Sequence, residues 1–286
     1  MIIAVASGKG GTGKTTVSVS LALAVSEKTP VSFFDCDVEE PNAHIFLKPK
    51  ILRELDVEVP VPRIDEEHCT YCGECSRVCR YNAIITLKDR VLVFPELCHG
   101  CGGCTLLCPE KVIHEEGRVI GTVRRGEAGC ISFTSGLLHA GEVLSPEVIR
   151  AAKKHIDGHR GNIIDCPPGT SCPVVESVKG SDFCVLVTEP TPFGLNDLKI
   201  TIEVLGQLGI PFGVVINKSS PKYDGDMERF CKDSGIEVML KIPWERSIAE
   251  AYSVGEALIH SDGAWTERFS DLFDRIWEKS LSNIFR

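Results

Sequence analysis

The 286-residue sequence predicts an α/β fold with a mostly parallel sheet, interrupted by a small α+β insert. Three observations predict it. The chain opens with a strand, a glycine-rich loop, a helix and a second strand. From about Pro60 to about Gly121 it carries eight cysteines and few long apolar runs. The alternation of strand and helix then resumes.

The elements follow in order. MIIAVAS is a short apolar run closed by glycines, as in a buried strand. TTVSVSLALAVSEK has helical character, and VSFFDCD is a second strand. VEVPVPRID, rich in proline and β-branched residues, reads as an extended connector into the insert. SPEVIRAAKKHI and LNDLKITIEVLGQLG read as helices. GNIIDCPPG, DFCVLVTEP and PFGVVINK each read as a strand followed by a loop. The simplest organisation is one α/β domain, residues 1–59 and 122–286, with a cysteine-rich domain inserted at 60–121.

Composition narrows the function. Forty acidic against 31 basic residues give a net charge of −9. Nucleic acid is therefore not the expected partner, because phosphate binding needs clustered Lys and Arg. The glycine loop interrupts the first apolar run before a signal peptide could form. No run approaches the roughly 18 apolar residues of a membrane span. The expected location is the cytoplasm, where thiols stay reduced. Fourteen cysteines there point to metal binding and not to disulfides.

The insert contains a repeat. Cys69-x2-Cys72-x2-Cys75-x3-Cys79 recurs as Cys98-x2-Cys101-x2-Cys104-x3-Cys108, a period of 29 residues from Cys69 to Cys98. This is the spacing of bacterial-type [4Fe–4S] ferredoxins, in which the fourth cysteine of each run serves the other cluster. One expected ligand set is Cys69, Cys72, Cys75 and Cys108. The other is Cys98, Cys101, Cys104 and Cys79. Zinc also accepts four cysteines, but the triplets and the terminal Cys108-Pro109 point to iron. The first repeat departs from the pattern, ending in Cys79-Arg80 and so lacking a proline but no ligand.

Gly8-Lys9-Gly10-Gly11-Thr12-Gly13-Lys14-Thr15 fits G-x-x-x-x-G-K-[ST] between a strand and a helix. Its backbone N–H groups, with Thr16 following, would cradle the phosphates of ATP. Lys14 would neutralise the β and γ oxygens, and Thr15 would ligate Mg²⁺. With Lys9, the motif resembles the deviant Walker A of MinD/ParA-type (SIMIBI class) P-loop ATPases. The resemblance covers most of the chain outside the insert. It implies that Lys9 reaches across a dimer to the partner's phosphates. FFDCDVEEPN then places Asp37 at the attacking water and Asp35 near the metal. IIDCPPG is similar to a Walker B and places Asp165 behind Mg²⁺, with Pro167 to Gly169 in a γ-phosphate switch. VVINK places Asn217 at the adenine, and IPWERSIAEA, with Pro243, closes the base pocket.

Other residues carry smaller expectations. Cys130, Cys166 or Cys172 could serve a further cluster, since Cys166 and Cys172 flank the switch; this chain has no late Cys-x2-Cys of the Mrp carrier type. His68 and His99 read as neighbours of the clusters and not as ligands. Trp265, Phe269, Leu272, Phe273 and Ile276 share one helical face. Its polar side carries acids as well as bases, so docking on the core is expected over membrane binding.

The leading functional expectation is an ATP-switched dimer, with itself or a paralogous chain, controlling electron transfer through two [4Fe–4S] clusters to a redox partner. Two alternatives stand beside it: an iron–sulfur carrier or scaffold, and a MinD-like positioning ATPase with structural or sensory clusters.

Overall fold

The computed structural model describes residues 1–260 and 262–284, with side chains through Ser280. β1 (Ile2–Ala6) leads through the glycine loop into α1 (Lys14–Ser26), which returns to β2 (Val31–Asp35). A short α2 (Ala43–Leu47) precedes β3 (Lys50–Ile64). The cysteine-rich segment follows as α3 (Glu74–Val78), the hairpin β4 (Ile84–Thr86) and β5 (Val91–Val93), and α4 (Gly103–Leu107). β6 (Ile113–Ala128) then runs back along β3 and turns into β7 (Ile131–Leu138). The rest alternates: α5 (Ser145–Lys153), β8 (Gly161–Asp165), α6 (Cys172–Val178), β9 (Phe183–Thr188), α7 (Pro192–Leu208), β10 (Phe212–Ser219), α8 (Gly225–Asp233), β11 (Val238–Pro243), α9 (Arg246–Ser253) and α10 (Ala264–Ile284).

Among the described residues the main sheet has nine strands, ordered β11-β10-β9-β1-β8-β2-β7-β6-β3. It is parallel from β11 to β7, and antiparallel where β6 and β3 join. Phe33 and Phe34, adjacent in β2, point to opposite faces, as strand geometry requires. Phe33 joins a core with Leu21, Val25, Phe133 and the α10 residues Phe269, Leu272 and Ile276. Phe34 joins the other core with Val148, Ile149, Leu198 and Leu205. The expected apolar face of α10 thus docks on the core, mainly against α1, with Trp265 also buried and Phe273 partly so. No described helix is long and apolar enough to cross a membrane.

The stretch expected as a connector is a strand. β3 pairs with β6 from Lys50↔Glu127 to Ile64↔Ile113. Pro60 and Pro62 are tolerated because β3 is the sheet's outer edge, where a missing N–H breaks no ladder. β7 leaves β6 at Gly121↔Leu138. Beyond that point β3 and β6 continue alone as a two-stranded ribbon carrying the cysteine-rich segment. Cys231 is on helix α8, with its side chain buried.

Candidate functional site

The glycine loop sits at the C-terminal end of β1, between β8 and β9, where open α/β sheets bind ligands. Gly13 caps α1 at φ +94°, a left-handed value open to glycine. A Cβ there would lie 2.2 Å from Asn217 Nδ2. The Asn217 amide donates to the Thr12 carbonyl at 2.7 Å, so it ties down the loop as well as lining the cleft beside it. Gly8 packs on the Asp197 backbone, leaving no space for a side chain. Gly10 and Gly11 face open space. Lys14 and Thr15 are buried at the start of α1.

Asp35 and Asp165 end neighbouring strands in register. Asp165 has both carboxylate oxygens buried without a hydrogen-bond partner. The neighbouring Ser18 hydroxyl donates to the Thr15 carbonyl (3.1 Å). Burial pushes the Asp165 carboxyl up to about 7; the neighbouring Thr15 and Lys14 oppose the rise and Asp37 adds to it. Orphaned carboxylate oxygens beside Thr15 and Lys14 fit a hydrated Mg²⁺, and the buried, unpartnered Thr12 hydroxyl fits a phosphate oxygen. Asp35, in register beside Asp165, also ties down the loop that follows it. Its carboxylate accepts from the Ala43 amide at 3.0 Å and the Asp37 amide at 3.3 Å, pinning the loop between them. Burial, first, and the nearby Asp165 push its carboxyl up.

Asp37 leads that loop. Burial raises its carboxyl to about 6; Lys14 pulls the other way, while Glu40 and Glu39 add to the rise. The loop is bonded to its surroundings: Val38 O accepts from the Leu138 amide at 2.8 Å, and Glu39 accepts from the Ser145 hydroxyl at 3.1 Å. Arg118, on β6, pairs with Glu142 in the segment between β7 and α5, both mostly buried.

A second cleft lies beside the loop, lined by Thr16, Asn217, Pro243, Trp244 and Tyr252 among others. It is where the base-pocket residues were expected to converge. Glu189, at the end of β9, was not anticipated: it accepts from both Lys9 and Lys218. Its only sequence signal was an acid within TEPTPF, in a loop following a strand.

The cysteines gather as two quartets. Cys69, Cys72, Cys75 and Cys108 line one hollow of about 350 Å³. Cys79, Cys98, Cys101 and Cys104 line another of about 420 Å³. The backbone repeats with the sequence: left-handed residues fall at Tyr71 and Gly100, Gly73 and Gly102, Asn82 and Lys111. Gly73 and Gly102 each open a short helix, α3 and α4. Amide N–H groups reach sulfur, Tyr71 to Cys69 (3.5 Å) and Ala83 to Cys79 (3.3 Å). Among the described residues no His, Cys, Asp or Glu group is drawn tightly enough for a single metal ion. Thiol quartets around hollows, with glycine turns and amide donors, fit a sulfide-containing cluster. Tyr81 and His99 stack at 3.7 Å along the second hollow. Cys166 is buried, whereas Cys130 and Cys172 are exposed.

Comparisons agree with the α/β nucleotide-binding fold. A protein of Methanocaldococcus jannaschii, MJ0579, is 32% identical over 262 residues, 91% of each chain. The iron–sulfur cluster carrier protein of the same organism is 26% identical over 296 residues, covering 97% of this chain and 84% of its own. The septum site-determining protein MinD of Pyrococcus horikoshii, solved with Mg-ADP, shares the fold at a TM-score of 0.58 and 19% identity, over 96% of this chain and 95% of its own. Residues 3–259 match the CobQ/CobB/MinD/ParA nucleotide binding domain, and the chain belongs to that family.

Proposed function

We propose that this chain is an ATP-hydrolysing iron–sulfur protein in which MgATP closes a dimer and controls electron transfer through two [4Fe–4S] clusters. Residues 1–59 and 122–286 are the ATPase domain, and 60–121 the inserted ferredoxin domain. The setting is cytoplasmic. The partners are a second copy or a paralogous chain, and a redox protein.

One observation carries the reading. Two cysteine quartets, each drawn from both halves of the repeat, stand on a ribbon that leaves the sheet at Leu138, and the loop of Asp37 is bonded to that same residue. When bound, the clusters supply one-electron transfer. The chain's own residues do the rest. The backbone from Gly8 to Thr16 cradles the phosphates, and Lys14 neutralises them as charge shifts to the leaving oxygen. Thr15 and, behind it, Asp165 hold Mg²⁺. Asp37 orients the water that takes the γ-phosphoryl group. Lys9 reaches the partner's phosphates, and Asn217 and Pro243 border the base. Loss of the γ-phosphate frees the Asp37 loop, and the ribbon follows it.

The test uses anaerobic, cluster-loaded Asp37→Ala protein, which should hold ATP. Reoxidation of its reduced clusters by a viologen dye is timed with MgATP and with MgADP. The expected difference is about tenfold, from changed access to the clusters. Equal rates with full iron content would sink the reading.

A carrier reading is favoured by the likeness to the iron–sulfur cluster carrier protein. Incubation with an apo-acceptor separates the two. A carrier gives up its iron to the acceptor, and an electron-transfer protein keeps it through many redox cycles.

A further inference from the structure

Lys9 is not free in this structure. Its ammonium donates to one carboxylate oxygen of Glu189, and the other oxygen accepts from Lys218 Nζ at 3.1 Å. Lys218 Nζ also donates to the Gly11 carbonyl at 2.9 Å. The Glu189 side chain is 14% exposed, against 32% for Lys9 and 37% for Lys218. Burial works against its ionisation, but the bonds from Lys9 and Lys218 outweigh this and hold its carboxyl below the usual range.

Two members of this trio are fixed. The Glu189 carbonyl accepts from the Thr191 amide at 2.7 Å, and Gly194 approaches so closely that a Cβ would lie 2.3 Å from that carbonyl. Lys218 sits at φ +55°, a conformation lysine seldom adopts, held by its amide bond to Asn217 Oδ1 at 2.9 Å. The Lys9 carbonyl accepts from the buried Ser7 hydroxyl at 2.7 Å, so the movable part of Lys9 is its long side chain, which has several rotatable bonds and is partly exposed. If it leaves, Glu189 still has Lys218, so no buried charge is stranded.

We propose that Glu189 is a positioning residue that holds Lys9 in its own subunit until the γ-phosphate bound by a second copy takes it. The inference rests on the reading that Lys9 acts across a dimer. Its consequence is selectivity. Phosphate must outcompete a half-buried carboxylate, which a γ-phosphate does and the shorter diphosphate does not. Glu189 thereby makes closure specific to ATP.

The experiment is sedimentation of cluster-loaded Asp37→Ala protein during MgATP and MgADP titrations. Adding Glu189→Gln should lower the MgATP needed for the compact dimer about tenfold (about 1.4 kcal/mol), and some dimer should form with MgADP. The affinity of the monomer for MgADP should stay within about twofold, which a merely structural strut would not allow. Lys218→Ala, which removes the tie to Gly11 but leaves the Lys9 pair, should close no more easily than its parent. Lys9→Ala should not close, and adding Glu189→Gln to it should restore nothing. If Glu189→Gln closes at the same or higher MgATP while Lys9→Ala still fails, the holding role is overturned and the dimer reading stands. Equal weakening of ADP binding and closure also overturns it, leaving Glu189 a strut. If Lys9→Ala closes like its parent, the dimer reading itself falls.

Discussion

The carbonyl of Val38 accepts a hydrogen bond from the amide of Leu138 at 2.8 Å. Val38 follows Asp37, and Leu138 is the last residue of β7, paired with Gly121 at the point where the ribbon leaves the sheet. A shift of the Asp37 loop therefore reaches the root of the ribbon in one bond. Packing tightens the same contact: a Cβ on Gly136 would lie 2.6 Å from Val38 Cγ1.

Gly136→Ala should accordingly push the loop without touching the phosphate cradle. Turnover is expected to fall about tenfold or more, since small misplacements near reacting atoms are costly. MgADP affinity, followed by calorimetry, should hardly change. Equal loss of both would mean that the substitution damages the fold and not the loop.

Metal analysis tests the quartets. Anaerobically purified protein should carry about eight iron atoms per chain, four for each cubane. Cys75→Ala should lose the Cys69/Cys72/Cys108 cluster and keep much of the other. Two zinc atoms and no iron would refute the assignment.

Lys14 and Asp37 should separate binding from hydrolysis. Lys14→Ala removes a buried cation at the start of α1, proposed to face the phosphates, and should weaken MgATP binding about 10- to 100-fold. Asp37→Ala should bind nearly as well as the parent and turn over far more slowly. Filter binding and phosphate release read the two effects, and equal loss of binding would contradict the role of Asp37.

The Asp165 carboxyl makes stability depend on pH. Its value of about 7 in the fold lies above its ordinary 3.8. Between those values the folded protein keeps a proton that the unfolded chain has released. Stability of the nucleotide-free protein thus falls as pH rises through this window, and the full cost of the buried charge is present above about 7. Asp165→Asn should raise Tm at about pH 8 by more than at about pH 5.5, while Mg²⁺ no longer stabilises the ATP complex. The same gain at both pH values would show that Asp165 is not a buried, uncompensated charge.

Much of this was legible in the sequence, for physical reasons. The glycine loop, the strand ending in Asp165 and the strand just before Asp37 announce themselves through short apolar runs and fixed spacings. The cysteine quartets follow from the 29-residue period. The ribbon was not legible, because the proline-containing stretch around Pro60 and Pro62 reads as an extended connector and only the sheet order reveals β3 as an edge. β7, ISFTSGLL, was masked by its hydroxyls and glycine. The bond from the Ala43 amide to Asp35 was not legible, because it depends on how the chain turns after the strand. Glu189 meets Lys9 from 180 residues away, a pairing that no local pattern encodes.

The claim that nucleotide and cysteine halves work as one machine is tested most directly by anaerobic ATPase rates, with the iron–sulfur clusters first oxidised and then reduced. The account predicts rates that differ several-fold between the two states, because the ribbon and the Asp37 loop share the Leu138 contact. Identical rates, at full and unchanged iron content, would contradict it.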